Sequence, residues 1–348
     1  MSTATRGYRS LFWPIILIGV GVVWLLGNLG ILSDANLVVL AQLWPLALIA
    51  IGLDLIIGRR SPALGAAIGV GVVVLLVILM LAFPRQVTRE TFVEPLAGAT
   101  AANVNLDLSV WPVSVTALDA DSENLMEARV AFYDTDPMEL RASGDETRTV
   151  SLTHALTSYS NFSLGFFRGQ ADRWQIGLNP TIPIDLNIGS SVGNMEIDLT
   201  GTQLRALNVN GAVGNVDIRL PVVADGYPLR ASAGTGALNL ILPDGIILTE
   251  ATISGGVGNL NVQIGRDARV PMRLSGGVGS VTVSAPDDAA IRLEVRDRGL
   301  GSVNVPSRLS RVSGEGSTGV WETPGFESAA NQITIVVTSV GVGSFTLR

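Results

Sequence analysis

The sequence predicts a membrane α-helical N-terminal region of three spans followed by an all-β domain, a parallel β-solenoid of about 22 residues per coil with an antiparallel β cap. Three observations carry this reading. The long apolar runs all lie before Pro84. Beyond that point a glycine-centred phrase returns at a fixed period, and within each phrase apolar and polar residues alternate.

Residues 1–84 form the membrane region, with spans expected at 11–32, 37–57 and 63–83, each near the roughly 20 residues that cross a hydrocarbon core of about 30 Å. A secretory signal peptide fits less well. The first run is too long, no small-residue cleavage pattern follows it, and a second run begins after only Ser33-Asp34-Ala35-Asn36. That short connection makes the first two spans a helical hairpin. Trp13, Trp24 and Trp44 stand near the ends or in the outer thirds of the runs, as interfacial anchors do. Asp54, the acid inside a run, lies one turn from Arg59 and Arg60, so an interfacial pair is expected rather than an ion site. With three spans, Arg6, Arg9, Arg59 and Arg60 fall on one side and Arg85 and Arg89 on the other. The excess favours a cytoplasmic N-terminus and an extracytoplasmic C-terminal domain.

A linker at 85–99 leads to a β cap region at 100–175 and a repetitive solenoid at 176–348. The repeat phrases centre on Gly193, Gly214, Gly236, Gly258, Gly279, Gly301 and Gly343, with steps of 21 or 22 residues and one double step of 42. Gly319 is a weak candidate for the turn missing from that double step. The second, fourth and sixth residues after glycine are apolar, as in Met195, Ile197 and Leu199, so each phrase reads as a strand with one buried face. Second strands such as Ile184–Ile188 and Ile291–Val295 lie between the phrases. Stacked coils bury a continuous core that one coil alone cannot form. Glycine serves the corner between strands, because it reaches positive φ without a Cβ clash. A phosphate-cradling loop would occur once and feed a helix, whereas this loop recurs and feeds strands. The calcium-binding nonapeptide repeat lacks its Asp here.

Glu196, Asp217, Asn239, Asn261, Thr282, Asn304 and Thr346 should form an outward polar ladder. Glu196 beside Asp217 offers at most a weak Ca²⁺ site. In the cap region, Met138–Ser143 and Thr147–Thr153 read as a hairpin around Gly144-Asp145-Glu146. The segment 159–169 differs, with Tyr159, Phe162, Phe166 and Phe167 among small polar residues. It reads as a cap on the solenoid end, or as a surface that meets the membrane or a partner.

Composition excludes several chemistries. There is no Cys, which removes disulfides, thiolate metal sites and a cysteine nucleophile. No Lys is present either, which removes Schiff-base chemistry and a phosphate-loop lysine. His154, the single histidine, lies in an alternating strand segment. With no usable catalytic or metal-ligand grouping, no enzyme activity, no cofactor and no small-molecule substrate are expected. Residues 90–348 hold 17 Arg against 28 acidic residues, a balance of −11 that phosphate backbones repel, so no nucleic-acid partner is expected.

The run from Phe12-Trp13-Pro14 to Asn28-Leu29-Gly30, followed by Leu43-Trp44-Pro45-Leu46, resembles the transmembrane region of LiaI- and LiaF-type bacterial envelope proteins. The segment from Trp174 to Leu220-Pro221 is similar to the toast-rack β domain that follows such regions. LiaF-like members commonly have four spans, where this sequence predicts three. The resemblance implies a membrane-anchored regulator or sensor of cell-envelope stress, with a membrane histidine kinase or another envelope protein as partner. A structural or adhesin-like surface protein, its solenoid a rigid platform, is the alternative.

Overall fold

The computed structural model describes residues 12–28, 87–108, 112–133, 138–154, 173–297, 299–339 and 341–348, with short helical pieces within 48–78. The chain divides into two compact units, one comprising 1–88, 132–137 and 156–171, the other 89–131, 138–155 and 172–348.

In the first unit, α1 (Phe12–Asn28) is 17 residues of almost continuous apolar sequence with no charged residue in its end turns. Pro14 stands in its first turn, where the missing N–H has no helical partner to lose. Leu17 and Ile18 are each 67% exposed, a surface that water does not favour and lipid does. Gly19 faces Val73, and a Cβ there would sit 2.8 Å from Val73 Cγ2, the close approach that small residues give membrane helices. Among the described residues no helix is long and apolar enough to cross a membrane. The ends of span 11–32 and most of spans 37–57 and 63–83 lie outside the described residues.

The second unit is a 22-stranded sheet wound into coils. Each central coil pairs a long strand with a short one across a glycine corner. The first three are β8 (Pro183–Val192) with β9 (Met195–Asp198), β10 (Gln203–Val213) with β11 (Val216–Arg219), and β12 (Tyr227–Thr235) with β13 (Leu238–Leu242). Next come β14 (Leu248–Val257) with β15 (Leu260–Ile264), and β16 (Val270–Ser284), which runs through the corner and supplies both strands. All pair in parallel, long on long and short on short. The register puts Ile197, Ile218, Leu240, Val262 and Val283 in one inward ladder, and Leu186, Leu207, Leu229, Ala251 and Met272 in another. All ten side chains are buried. The parallel solenoid that period-two alternation predicts is therefore the observed architecture.

The ends depart from simple stacking in chain order. The last coil, β21 (Gln332–Ser339) with β22 (Val342–Leu347), pairs directly on β16. The coil that precedes it in sequence, β17 (Ala290–Val295) with β18 (Ser302–Asn304), lies outside it. Edge protection accounts for the exchange. The long strand of the last coil, β21, is β-branched on both faces, with Val336 and Thr334 outward, and suits a position paired on both edges. The displaced coil has Arg292 and Glu294 outward and only three residues in β18, which suits an end. Gly319 makes no coil corner; it begins β20 (Gly319–Glu322), which covers β17 antiparallel and is itself covered by β19 (Ser310–Ser313).

The other end, within the region 100–175, repeats this plan. Its strands β2 (Ala101–Leu108) and β3 (Val113–Ala117) form a true coil, paired in parallel with β8 and β9 on one side. On the other side lie β6 (Thr147–His154) and β7 (Trp174–Leu178), also parallel. The antiparallel cap consists of β5 (Met138–Ser143) on β6 and β4 (Asn124–Tyr133) on β7. β1 (Val87–Pro95) pairs with β4. Thr202, in the turn after β9, is 1% exposed because its hydroxyl donates to Leu199 O at 2.8 Å and closes the turn inward.

Candidate interaction surface

The outward side chains of the short strands form the expected polar ladder. Parallel register sets Glu196 beside Asp217, then Asn239, Asn261, Thr282 and Thr346, with Asn304 at the far end. Amides link its middle: Asn239 Nδ2 donates to Asp217 Oδ1 at 2.6 Å, and Asn261 Nδ2 to Asn239 Oδ1 at 2.8 Å. Glu196 Oε2 accepts from Arg173 Nη1 at 2.5 Å. The two carboxylates proposed for Ca²⁺ are thus each engaged by another side chain. Among the described residues no three His, Cys, Asp or Glu side chains gather as metal ligands.

Two residues beyond Glu196, Asp198 accepts from the Thr200 amide at 3.1 Å and from Arg219 Nη1 at 3.4 Å. Partial burial pushes its carboxyl upward, but the Thr200 bonds and Arg219 outweigh this and hold it below the ordinary value. On the long-strand face, Arg205 grips Asp185 through Nε at 3.1 Å and Nη2 at 2.5 Å. These groups tie neighbouring coils together across the surface. Their chemistry is recognition by hydrogen bonds and charge, with no nucleophile and base set in reach of each other among them.

His154 ends β6 in a buried position, its ring edge-on to Trp174 with centroids 5.6 Å apart. Trp174 Nε1 donates to Ala131 O at 2.6 Å, so the histidine's surroundings are those of a cap core. Tyr159, Phe162, Phe166 and Phe167 lie outside the described residues, in the segment that joins β6 to β7.

A second surface feature was not singled out from the sequence. The residue before each corner glycine points outward: Val192, Val213, Val257, Val278 and Val342 are 40% to 53% exposed. Register aligns them through Thr235 into one row of six. The signal was present, since Val precedes glycine in five of the seven phrases. Strict alternation hides it, because at a corner the chain leaves the two-residue period and two successive residues face solvent.

Residues 11–56 match the model of the LiaI-LiaF-like transmembrane region, and residues 83–241 match that of the N-terminal domain of toast_rack. No curated protein matches the chain significantly. Among solved structures, a candidate cell adhesion protein from Clostridium sporogenes aligns at 18% identity and a TM-score of 0.40, covering 75% of this chain and 99% of that one. A candidate adhesin from Bacteroides fragilis aligns at 11% identity and a TM-score of 0.31, covering 76% and 97%. Another from Parabacteroides distasonis aligns at 10% identity and a TM-score of 0.25, covering 76% and 97%.

Proposed function

Because this chain joins a LiaI-LiaF-like transmembrane region to a toast-rack domain, we propose that it is a non-enzymatic, membrane-anchored regulator or sensor of cell-envelope stress that acts through protein–protein contacts. The carrying observation is that union in one chain. The polar ladder supports it, as a long, rigid, hydrogen-bonding face suited to a macromolecular partner. In this reading the spans at 11–32, 37–57 and 63–83 place the N-terminus in the cytoplasm and residues 90–348 outside the membrane. The partner is a membrane histidine kinase or another envelope protein. The segment bearing Tyr159, Phe162, Phe166 and Phe167 belongs to the proposed contact surface.

Deleting the gene should raise the basal output of an envelope-stress response, and the full chain should restore it. Unchanged output in both strains would overturn the reading and leave the rigid-platform role. Location is tested separately. The chain has no native thiol, so an impermeant maleimide on intact cells or spheroplasts should label a cysteine at exposed Gln203 and not one at Ser2.

A further inference from the structure

Among the described residues, β19 pairs with β20 alone, so its other edge is a row of main-chain donors and acceptors open to pairing. Other strands with one partner have blunted edges. β5 carries Glu139 and Arg141, exposed and paired at 2.7 Å, and β18 offers only three residues. β19 has neither protection. Its single charge, Arg311, is drawn over Trp321, 4.7 Å from the ring centroid, and donates through Nη2 to Gly316 O, while Val312 stands 61% exposed. Beside this strand runs a groove of about 350 Å³, between Val312 and the segment 323–328. Pro324 and Phe326 belong to its apolar lining, and Glu322 and Glu327 give it charge. Both carboxylates share the Arg292 guanidinium, at 3.2 and 3.5 Å, and no basic residue lines the groove, which leaves one negative charge uncompensated.

We infer that this edge and groove receive an extended, basic segment of a partner protein, which adds to β19 as a further strand. The open edge selects an extended chain, because main-chain pairing gives affinity while alternate side chains fill a pocket on one face. Side chains of the added strand that share the face of Val312 continue toward the groove. A cationic one reaches the two glutamates, and its aliphatic stem lies along Val312 and Pro324. Charge selects the sign. The domain balance of −11 draws a basic partner from a distance, and the uncompensated carboxylate holds it at the groove. The same charge repels an anionic lipid surface and an equally acidic second copy. The contact does not depend on the regulatory reading, since a rigid platform has the same edge to offer.

The test uses the full chain in detergent and a short fluorescent peptide of alternating valine and arginine, read by anisotropy. Binding should be saturable. Val312→Arg, which sets a like charge on the edge, should weaken it several-fold while leaving the melting temperature within a few degrees, because position 312 is exposed. Glu327→Gln should weaken it too, whereas Asp225→Asn, in the turn before β12, should leave it unchanged. A peptide N-methylated at alternate residues lacks the donors of a strand ladder and should bind several-fold less well. Failure of the basic peptide to bind, or equal binding of its N-methylated form, would overturn the inference. So would equal losses in the Glu327 and Asp225 variants, since general attraction to an acidic domain would then account for the binding. A peptide of alternating valine and glutamate that bound as tightly would remove the charge selection and the inference with it.

Discussion

Gly236 sits at a corner with φ 132°, and a Cβ added there would run into the carbonyl oxygen of Gly214 in the neighbouring coil. Strain and clash act together, so Gly236→Ala should cost about 3 kcal/mol in a thermal or denaturant melt of the detergent-solubilised chain. Gly245, with φ 73° and open space around it, isolates the strain alone, and its alanine variant should lose only about 1 kcal/mol. Ile218 and Asp217 make the complementary test of register. Ile218 is 1% exposed between Ile197 and Leu240, so Ile218→Asp should cost about 4 kcal/mol, while Asp217→Ala on the outer face should cost under about 1 kcal/mol. Equal melts would mean that the strand faces are reversed. Asp198 adds a pH dependence. Its folded carboxyl lies below the ordinary value, so its contribution is full above the unfolded value and disappears as pH falls through the folded one. Asp198→Asn should therefore flatten the acid limb of the stability curve, and an unchanged limb would remove this carboxylate from the account. The inward positions of these coils were legible because period two fixes faces. Thr202 was not, since its burial depends on a hydroxyl reaching back to Leu199 O, which no periodicity records.

At the scale of a strand or coil, caps and repeats respond differently to damage. Trp174 is fully buried in β7, and its indole N–H donates to Ala131 O of the covering strand β4. Trp174→Phe should leave that carbonyl unpaired and loosen the cap by about 2 kcal/mol, seen first as faster amide exchange in β4 and β7. Asn179 braces the same cap, giving its amide to Ser122 O and Asn124 O and accepting from Thr181. A central coil is more dispensable. Removing residues 215–236 joins Gly214 to Ala237 and excises one period, so the inward ladders re-form and the variant should fold cooperatively. Removing residues 215–225 alone should not. The repeats themselves were readable from glycine spacing, whereas the caps were readable only as a hairpin at 138–153. Assigning β2 and β3 to the stack requires pairing partners some 45 to 80 residues apart, and local patterns carry no such range.

For the whole molecule, the N-terminal region and the β domain were separable at sight because lipid and water impose opposite patterns. Arginine counting suggests a side of the membrane, which the maleimide experiment decides. The order of the coils was beyond sequence reasoning, since both end coils are exchanged with a neighbour. That exchange bears on biosynthesis. An ordinary repeat array can grow one unit at a time as the chain emerges, each new turn settling on the last. Here the seat beside β16 waits for residues 332–347, and until they arrive the strands at 290–304 have only an incomplete platform to join. The seat beside β8 is likewise taken by residues 101–117, which need 147–178 to cover their far edge. A nascent chain that still lacks residues 332–347 therefore leaves an open sheet edge, a mark by which proteolysis can remove it.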